Sequence, residues 1–171
     1  PLYGARRLLP VTRAHIDGCI YSGDAGLEYA EMLARLGGRV RVPTSLNVVS
    51  LDRAAWREIG IPDDYADNAR RIADAYLAMG AEPTFTCAPY QTAARPAFGE
   101  QVAWSESNAV AFANSVVGAR TNRYGDFLDI ACALVGRVPA AGLHLDDPRL
   151  ATTLLRLDPL PAALTDRDDF W

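Results

Sequence analysis

Apolar residues recur along the chain at two spacings, which predict helices and short strands in alternation. Spacings of three and four residues predict helices over 27–36, from Asp52 through Trp56, from Asp63 or Asp64 to Met79, over 107–117 and over 126–135. Short apolar runs predict strands over 7–11, 39–42, 84–87, 140–145 and 152–157. Loops are predicted over 44–50 and 88–99. This alternation, in a chain of 171 residues, is typical of one α/β domain.

Polar residues gather where three of the predicted strands end. His15, Asp17 and Gly18 follow the first strand, Thr44, Ser45 and Asn47 follow the second, and Cys87 ends the third, with 106–108 beyond it. In open α/β sheets, ligands bind outside the carboxyl ends of parallel strands. The pattern therefore predicts one composite site built from these loops.

The segment 99–123 places small polar residues among small apolar ones. They are Glu106, Ser107, Asn108, Asn114, Ser115, Thr121, Asn122 and Arg123. A buried polar group without a partner costs about 1–3 kcal/mol, so something must satisfy these groups. Lining a site is the favoured interpretation, and the alternative is that they cap helices and bond the backbone within the fold.

Three short motifs each allow a functional and a structural interpretation. GDAG at 23–26, before a helix, could offer backbone amides to an anion or form only a turn. His15 with Asp17, and His144 with Asp146, have a spacing that suits an acid–base pair on one strand face. Hydrogen bonding within loops would explain both pairs equally well.

Two arginines near the end of the polar segment also have two possible roles. Arg120 and Arg123 flank a Thr-Asn pair and could together hold a carboxylate. They could instead pair with Asp126 or Asp129 at helical spacing. The sequence leaves both interpretations open.

The three cysteines have neither metal-site spacing nor an even count. Cys19, Cys87 and Cys132 contain no CxxC pair, and at least one thiol must be free. Cys132 lies inside the apolar run 130–135 and is predicted to be a core residue. For Cys87, spacing alone favours a buried thiol over a metal ligand. We expect a reducing compartment.

Charge and hydropathy exclude several classes of partner. The net charge is −4, the pI is about 5.1, and the 17 basic residues are all scattered arginines, which argues against nucleic acid as a partner. The absence of lysine excludes a Schiff-base lysine from this chain. No apolar run approaches the roughly 18 residues that span a bilayer, and the first residues lack a signal-peptide pattern, so we expect a cytoplasmic protein.

Ordered motifs along nearly the whole chain resemble one known family. They include HIDGC at 15–19, TCAPY at 86–90, AWSESNA at 103–109 and GLHLD at 142–146. Between them lie matching segments at 23–28, 44–47, 95–96, 99–100, 113–115 and 118–123. Together these motifs resemble the large-subunit region of the aconitase X family. The resemblance implies an aconitase-like layered α/β/α domain with a mostly parallel sheet.

The resemblance also implies an activity. Aconitase X proteins are iron-sulfur hydro-lyases with a large α/β part and a smaller swivelling domain, which is either fused or a separate subunit. Bacterial members dehydrate cis-3-hydroxy-L-proline, and archaeal members dehydrate mevalonate 5-phosphate. Residues 15–21 resemble the bacterial form. We therefore expect dehydration of cis-3-hydroxy-L-proline to a pyrroline-2-carboxylate, with an iron as Lewis acid.

Position by position, the resemblance implies roles for individual residues. Cys87 resembles one of three cysteine ligands of the cluster. Glu106 and Ser107 resemble catalytic and substrate-site residues, although the base that removes the C2 proton could lie elsewhere. The expected substrate-binding residues are Gly18, Cys19, Ile20, Asn47, Val48, Glu106 and Ser107.

One departure from the family pattern concerns the other cluster ligands. The remaining two cysteines of the family lie in segments resembling GCPH and TDTC, which do not occur up to Trp171, and Cys19 and Cys132 do not match them. We therefore expect residues 1–171 to be a single domain, the first half of an aconitase X large subunit. The alternatives are a mevalonate 5-phosphate dehydratase, or a truncated, non-catalytic homologue that binds a small acid or a partner subunit.

Overall fold

The computed structural model describes residues 2–156, which form five short strands and four α-helices. The strands are β1 (Leu8–Pro10), β2 (Ala14–Ile16), β3 (Thr44–Leu46), β4 (Ala103–Trp104) and β5 (Arg137–Pro139). The helices are α1 (Asp24–Arg35), α2 (Asp63–Ala78), α3 (Ser107–Phe112) and α4 (Asp126–Val135). A π-helical turn, Ala113–Val117, continues α3. Among these described helices, none is long and apolar enough to cross a membrane.

The strands form a parallel sheet and a separate antiparallel pair. The parallel sheet has the order β3-β2-β4, with Ala14 opposite both Thr44 and Ala103. β1 pairs antiparallel with β5. Since three of the five strands are parallel, the predicted α/β fold with a mostly parallel sheet is confirmed.

Helices cover both faces of the parallel sheet. On one face, Ile16, Leu46 and Ala103 share a core with buried residues of α1, α2 and α4. On the other face, Trp104 packs with Ala109 and with other small residues in and after α3. This arrangement has the expected α/β/α layers.

The helices are predicted more accurately than the strands. α4 has the predicted bounds, α1 begins three residues before the predicted start at 27, and α2 begins at Asp63. The predicted helix from Asp52 through Trp56 is wrong, because 53–60 forms a run of turns. Asp52 still caps this run, since Oδ1 accepts the Ala54 and Ala55 N–H groups, each at 2.9 Å.

The three strands of the parallel sheet were all missed, and β3 lies where a loop was predicted. All residues of β2, β3 and β4 are buried. Strands buried on both faces lack the alternation of apolar and polar residues that identifies a half-buried strand. With only two or three residues each, they also provide no long apolar run.

The strand predicted at 39–42 is wrong, although its alternation has a structural cause. Val40 and Val42 pack against the main core, whereas Arg39 and Arg41 are exposed. The backbone of this segment forms hydrogen bonds with residues at the ends of helices and not with a strand. For example, Val40 donates its N–H to the Met79 carbonyl. The alternation of arginine and valine in this segment therefore results from packing against helices and not from a strand.

The strand predicted at 84–87 is also wrong. Phe85 has a φ of 43°, in the left-handed region that interrupts an extended strand. The segment still runs beside β3. Leu46 donates its N–H to Thr84 Oγ1 at 2.9 Å, and Thr86 donates its N–H to the Leu46 carbonyl at 3.1 Å.

Neither predicted closing strand forms. β5 lies just before 140–145, where the backbone instead turns around the Asn122 side chain. The Asn122 amide donates to the Ala141 carbonyl at 2.9 Å and accepts the Leu143 N–H at 2.7 Å. Residues 152–156 are exposed and form no strand, and Leu157 lies outside the described residues.

The loop after β2 passes so close to α4 that residue 18 must be glycine. A Cβ at this position would lie 2.6 Å from the backbone oxygen of Asp126 and 3.0 Å from its Cβ. Backbone cannot rotate away from such a contact as a flexible side chain can. The loop and the start of α4 therefore hold each other in place.

We expect Gly18→Ala to destabilise the protein by about 1–3 kcal/mol, because the added methyl group would push the loop away from α4. Urea unfolding measures the effect. Gly125→Ala is the matched control, since a Cβ there meets nothing within 4 Å and Gly125 has a φ of −76°. Equal stability of the two variants would contradict the close contact.

Candidate active site

The carboxyl ends of the three parallel strands bring polar residues together. Asp17 follows β2, Asn47 follows β3, and Ser105 and Glu106 follow β4. Because β2 is in register with both neighbours, these residues reach the same edge of the sheet. The polar residues at the strand ends therefore cluster as predicted, although the strands that position them differ from the predicted ones.

Asn47 is the buried centre of this cluster. Its amide nitrogen donates one hydrogen bond to Asp17 Oδ1 at 2.5 Å and another to Glu106 Oε2. Its oxygen accepts the N–H of Val48 at 2.7 Å, which sets the orientation of the amide. One side chain thus joins the loops after all three parallel strands.

The two carboxyl groups at Asn47 affect each other. Burial, a hydrogen bond with Asp17 and the charge of Asp17 raise the pKa of Glu106. Arg123 lies with Nη2 3.7 Å from Asp17 Oδ2. Glu106 is therefore easier to protonate than an ordinary glutamate, and Asp17 forms the ion pair with Arg123.

Asp129, on α4, is a fully buried carboxyl group beneath these loops. Its Oδ2 accepts the N–H of Asp17 at 2.7 Å, the N–H of Gly18 at 3.3 Å and the hydroxyl of Ser105 at 2.9 Å. Despite these donors, burial raises the pKa of Asp129 to about 7. Asp129 thus fastens α4 to the loops after β2 and β4.

The predicted acid–base pair of His15 and Asp17 does not form. His15 is buried in β2 with Nδ1 2.8 Å from Ser45 Oγ, while Asp17 turns to Asn47 beyond the strand end. Burial lowers the pKa of His15 to about 4, so the ring is neutral. Its Nε2 is buried with no hydrogen-bond partner among the described residues.

The second predicted pair, His144 with Asp146, does not form either. His144 is buried, with Nε2 2.5 Å from the hydroxyl of Tyr124 and Nδ1 2.6 Å from Gln101 Oε1. Asp146 accepts a hydrogen bond from Arg120 at 2.5 Å. Neither histidine therefore forms the predicted pair with an aspartate.

The interpretation of the two arginines is settled by their partners. Arg120 pairs with Asp146, and Arg123 points to Asp17. Pairing with Asp126 or Asp129 at helical spacing is therefore wrong for both. Arg123 contributes its charge to the strand-end cluster.

The polar segment 99–123 divides between the two roles that its sequence allows. Asn114 serves the fold, since its amide donates to the Val110 carbonyl at 2.8 Å and the Thr121 carbonyl at 2.9 Å. Thr121 likewise bonds Trp104 of β4. Glu106 and Arg123 belong to the strand-end cluster, and the exposed Ser107 begins α3 beside it.

Exposure distinguishes the three cysteines. Cys87 is exposed, which contradicts the buried thiol that its spacing favoured, and its carbonyl accepts the amide of Asn108 at 2.9 Å. Cys19 and Cys132 are buried, and burial raises the pKa of each to about 12. Cys87 is thus the accessible thiol of the three. The described residues contain no group of three metal-binding side chains.

The predicted substrate-binding residues lie in and beside the loops that follow β2, β3 and β4, but their side chains differ in exposure. Val48 is exposed, and Gly18 and Ile20 line a cavity of about 490 Å³. The Cys19 thiol instead points inward and donates to the Asn47 carbonyl at 3.1 Å. Any contact of Cys19 with a ligand must therefore come from its backbone.

The GDAG motif lines one side of this cavity. The N termini of α1 and α4 both border it, which favours an anionic group. Two carboxylates, Asp24 and Asp126, also line it, and no arginine is found among its described lining residues. The surroundings therefore disfavour a highly charged group such as a phosphate.

Asp129 has the feature that sequence reasoning missed. It is an acidic residue at a buried position in the first turn of α4, DFLDIACALV, whose later turns are apolar. A carboxylate at a buried position of an amphipathic helix requires donors from another element. That signal was available, but the donors are backbone groups of a distant loop, which sequence alone does not identify.

We expect Asp129 to make stability depend on pH. Its folded pKa of about 7 lies above its ordinary value of 3.8, so its contribution is fully present below about pH 4 and is lost as pH rises through 7. Relative to Asp129→Asn, the wild type should lose up to about 1.4 kcal/mol per pH unit over this range. Urea unfolding at about pH 5 and about pH 8 measures the difference.

The wild type must be compared with Asp129→Asn because other groups change the stability with pH in the opposite direction to Asp129. His15 and His144, with pKa values lowered to about 4, favour folding as pH rises, and both proteins contain them. Asp126→Asn, at an exposed position of the same helix, serves as the control and should follow the wild type. A parallel pH dependence of wild type and Asp129→Asn would argue against the raised pKa.

Comparison with known proteins identifies the family. Residues 1–147 match the aconitase X first domain. The chain is 57% identical over 159 residues to a cis-3-hydroxy-L-proline dehydratase of Pseudomonas aeruginosa, covering 93% of this chain and 27% of that protein. It is 43% identical over 159 residues to a phosphomevalonate dehydratase large subunit of Methanocaldococcus jannaschii, covering 92% of this chain and 40% of that protein.

A solved structure agrees with the sequence comparisons. The fold matches the crystal structure of Thermococcus kodakaraensis aconitase X in its holo form with a TM-score of 0.79 and 42% identity, over 88% of this chain and 37% of that one. The chain thus spans between about a quarter and two fifths of the relatives that it matches. A family match over 147 of 171 residues, supported by the same fold, shows that this chain belongs to the aconitase X family.

Proposed function

We propose that the domain forms part of a hydro-lyase that dehydrates cis-3-hydroxy-L-proline to pyrroline-2-carboxylate. The main support is the meeting of two carboxyl groups, Asp17 and Glu106, at the buried amide of Asn47. Loss of water needs a proton donor for the leaving hydroxyl group, and a carboxyl group with a raised pKa suits that task.

Similarity supports the choice of substrate. The Pseudomonas relative named as a cis-3-hydroxy-L-proline dehydratase is 57% identical to this chain, whereas the phosphomevalonate dehydratase large subunit is 43% identical. Because the chain spans 27% of the former protein, the activity belongs to a larger assembly. We propose that a smaller swivelling domain or subunit completes the site.

Cys87 is the residue of this chain that suits an iron-sulfur cluster. Its thiol is exposed beside α3, whereas Cys19 and Cys132 are buried with raised pKa values. A cluster needs further thiolates, which would come from outside the described residues. When bound, the cluster would supply a Lewis-acidic iron.

The remaining residues would bind and orient the substrate. Asn47 keeps the carboxyl group of Glu106 in place, and the exposed hydroxyl of Ser107 can donate to a substrate oxygen. Val48, the backbone of Cys19, and Gly18 and Ile20 at the cavity would form the surrounding wall. We propose that a small hydroxy acid binds against these residues.

Mevalonate 5-phosphate is the second candidate substrate. Two helix N termini at the cavity favour an anion, as does the similarity to phosphomevalonate dehydratase large subunits. Asp24 and Asp126 oppose a phosphate there, and the described lining supplies no arginine to offset them. Cis-3-hydroxy-L-proline, which has no phosphate, fits this cavity better.

We expect Cys87→Ala to abolish both cluster assembly and dehydration, because no other described cysteine is exposed to replace the ligand. Iron and acid-labile sulfide analysis of the purified holoenzyme measures the cluster directly. Cys132→Ala is the control, since that thiol is buried in α4 and should leave the iron content unchanged. Full iron content in Cys87→Ala would exclude it as a ligand.

We expect the holoenzyme to dehydrate cis-3-hydroxy-L-proline with a kcat/KM at least about 100-fold above that for mevalonate 5-phosphate, since a cavity lined by carboxylates repels the phosphate. Anaerobic assays of both compounds measure the ratio. The reverse preference would select the phosphate substrate. Turnover of neither compound would favour a non-catalytic homologue that binds a small acid or a partner subunit.

A further inference from the structure

We propose that Asp17 and Glu106 act as one acid pair, which holds a single shared proton and delivers it to the hydroxyl oxygen that leaves the substrate. This inference deepens the proposed function and rests on it. It adds Asp17 as a catalytic residue beside Glu106.

The geometry of Asn47 brings the two carboxyl groups together. Its nitrogen donates to Asp17 and to Glu106, so the two accepting oxygens lie at most roughly 6 Å apart, twice an ordinary hydrogen-bond distance. The amide cannot turn over without losing these bonds, because its oxygen accepts the N–H of Val48. Asn47 therefore holds the two carboxyl groups in place. Because an amide N–H is not acidic, the proton that reaches the substrate must come from a carboxyl group and not from Asn47.

Two negative charges at this distance repel each other, and sharing one proton removes the repulsion. Arg123 lies 3.7 Å from the second oxygen of Asp17 and favours the negative charge there. The proton then resides on Glu106, in agreement with the raised pKa of that group. Glu106 is thus ready to act as an acid beside Asp17.

The other titratable and charged groups around the pair are Asp129, His15 and Arg123. Asp129 holds the Asp17 backbone and adds a third carboxyl group beneath the loop. His15, which precedes Asp17 by two residues, is neutral because burial lowers its pKa to about 4. Among the described residues facing the pair, Arg123 is the cation. It forms its ion pair with Asp17, and its charge offsets part of the increase in the pKa of Glu106.

The chemical step balances with one proton from the pair. The C3–O bond of the substrate breaks, its electron pair goes to oxygen, and the proton of Glu106 moves to that oxygen, so that water leaves. The C2 proton goes to a base outside the pair, which later releases it to solvent. The C2–H electron pair forms the C2=C3 double bond of an enamine, which tautomerises to pyrroline-2-carboxylate. Asp17 and Glu106 are then both negative until a proton from solvent restores the shared state.

The pH profile of the holoenzyme distinguishes this role from a structural one. In the wild type, kcat for cis-3-hydroxy-L-proline should fall at alkaline pH as the pair loses its proton. In Asp17→Asn the neighbouring charge is absent, so the alkaline fall should begin at least about one pH unit lower. Glu106→Gln cannot donate a proton and should lose about 10²–10⁴-fold in kcat without losing iron.

Glu31→Gln is the matched control. Glu31 lies on α1 in a surface ion pair with Arg71, so this variant should keep the wild-type profile. An alkaline fall at the same pH in Asp17→Asn and in the wild type would overturn the proposal, because Asp17 would then only position its neighbour.

Infrared spectroscopy tests the shared proton without relying on turnover. The wild type should show a carboxylic acid C=O band near neutral pH that decreases in Glu106→Gln and shifts to lower pH in Asp17→Asn. Asp129 contributes its own band, which Asp129→Asn identifies. A spectrum unchanged by both Glu106→Gln and Asp17→Asn would overturn the pair. If the wild type does not dehydrate cis-3-hydroxy-L-proline, the proposed function fails, and these spectra still decide whether the proton is shared.

Discussion

The buried carboxyl group of Asp129 is the constraint on which the arrangement of the site depends. It accepts hydrogen bonds from the Asp17 and Gly18 backbone and from the Ser105 hydroxyl. These donors come from loops that follow two different strands. Burying a carboxyl group without hydrogen-bond donors would cost much of the free energy of folding. The positions of α4, β2 and β4 relative to one another are therefore fixed by these hydrogen bonds. The strand-end cluster is consequently supported from below by a helix.

Close packing reinforces the same relation. Gly18 approaches the Asp126 backbone so closely that no side chain fits, and its N–H reaches Asp129 one turn further along the helix. Above this contact, Asp17 is presented to Asn47. Rigid support of this kind limits the movement of Asp17 and Asn47.

The division of labour among similar residues follows from burial. Cys19 and Cys132 lie in the core, where their thiols remain protonated, whereas Cys87 is free at the surface. Asp17 forms an ion pair with Arg123, whereas burial and the charge of Asp17 raise the pKa of Glu106. Residues of one chemical type thus have different tasks, and the surrounding charge and exposure decide which task each one has.

The bounds of α4 and the gathering of polar residues at the strand ends follow from the sequence by itself. The bounds of α4 are predictable because the apolar residues of an amphipathic helix recur at a regular spacing along one buried face. Several positions of the sequence therefore indicate the same helix. Polar residues after apolar segments likewise indicate a site at the strand ends, and the motifs at 15–19 and 86–90 resemble aconitase X.

Only the tertiary structure decided which strands build the site and which groups meet there. The strands β2, β3 and β4 are too short and too fully buried to leave a pattern. The Asn47 bridge joins Asp17 to Glu106 across 89 positions of sequence, and Asp129 reaches Asp17 across 112. Such contacts depend on how distant segments pack in three dimensions, and local spacing contains no information about that.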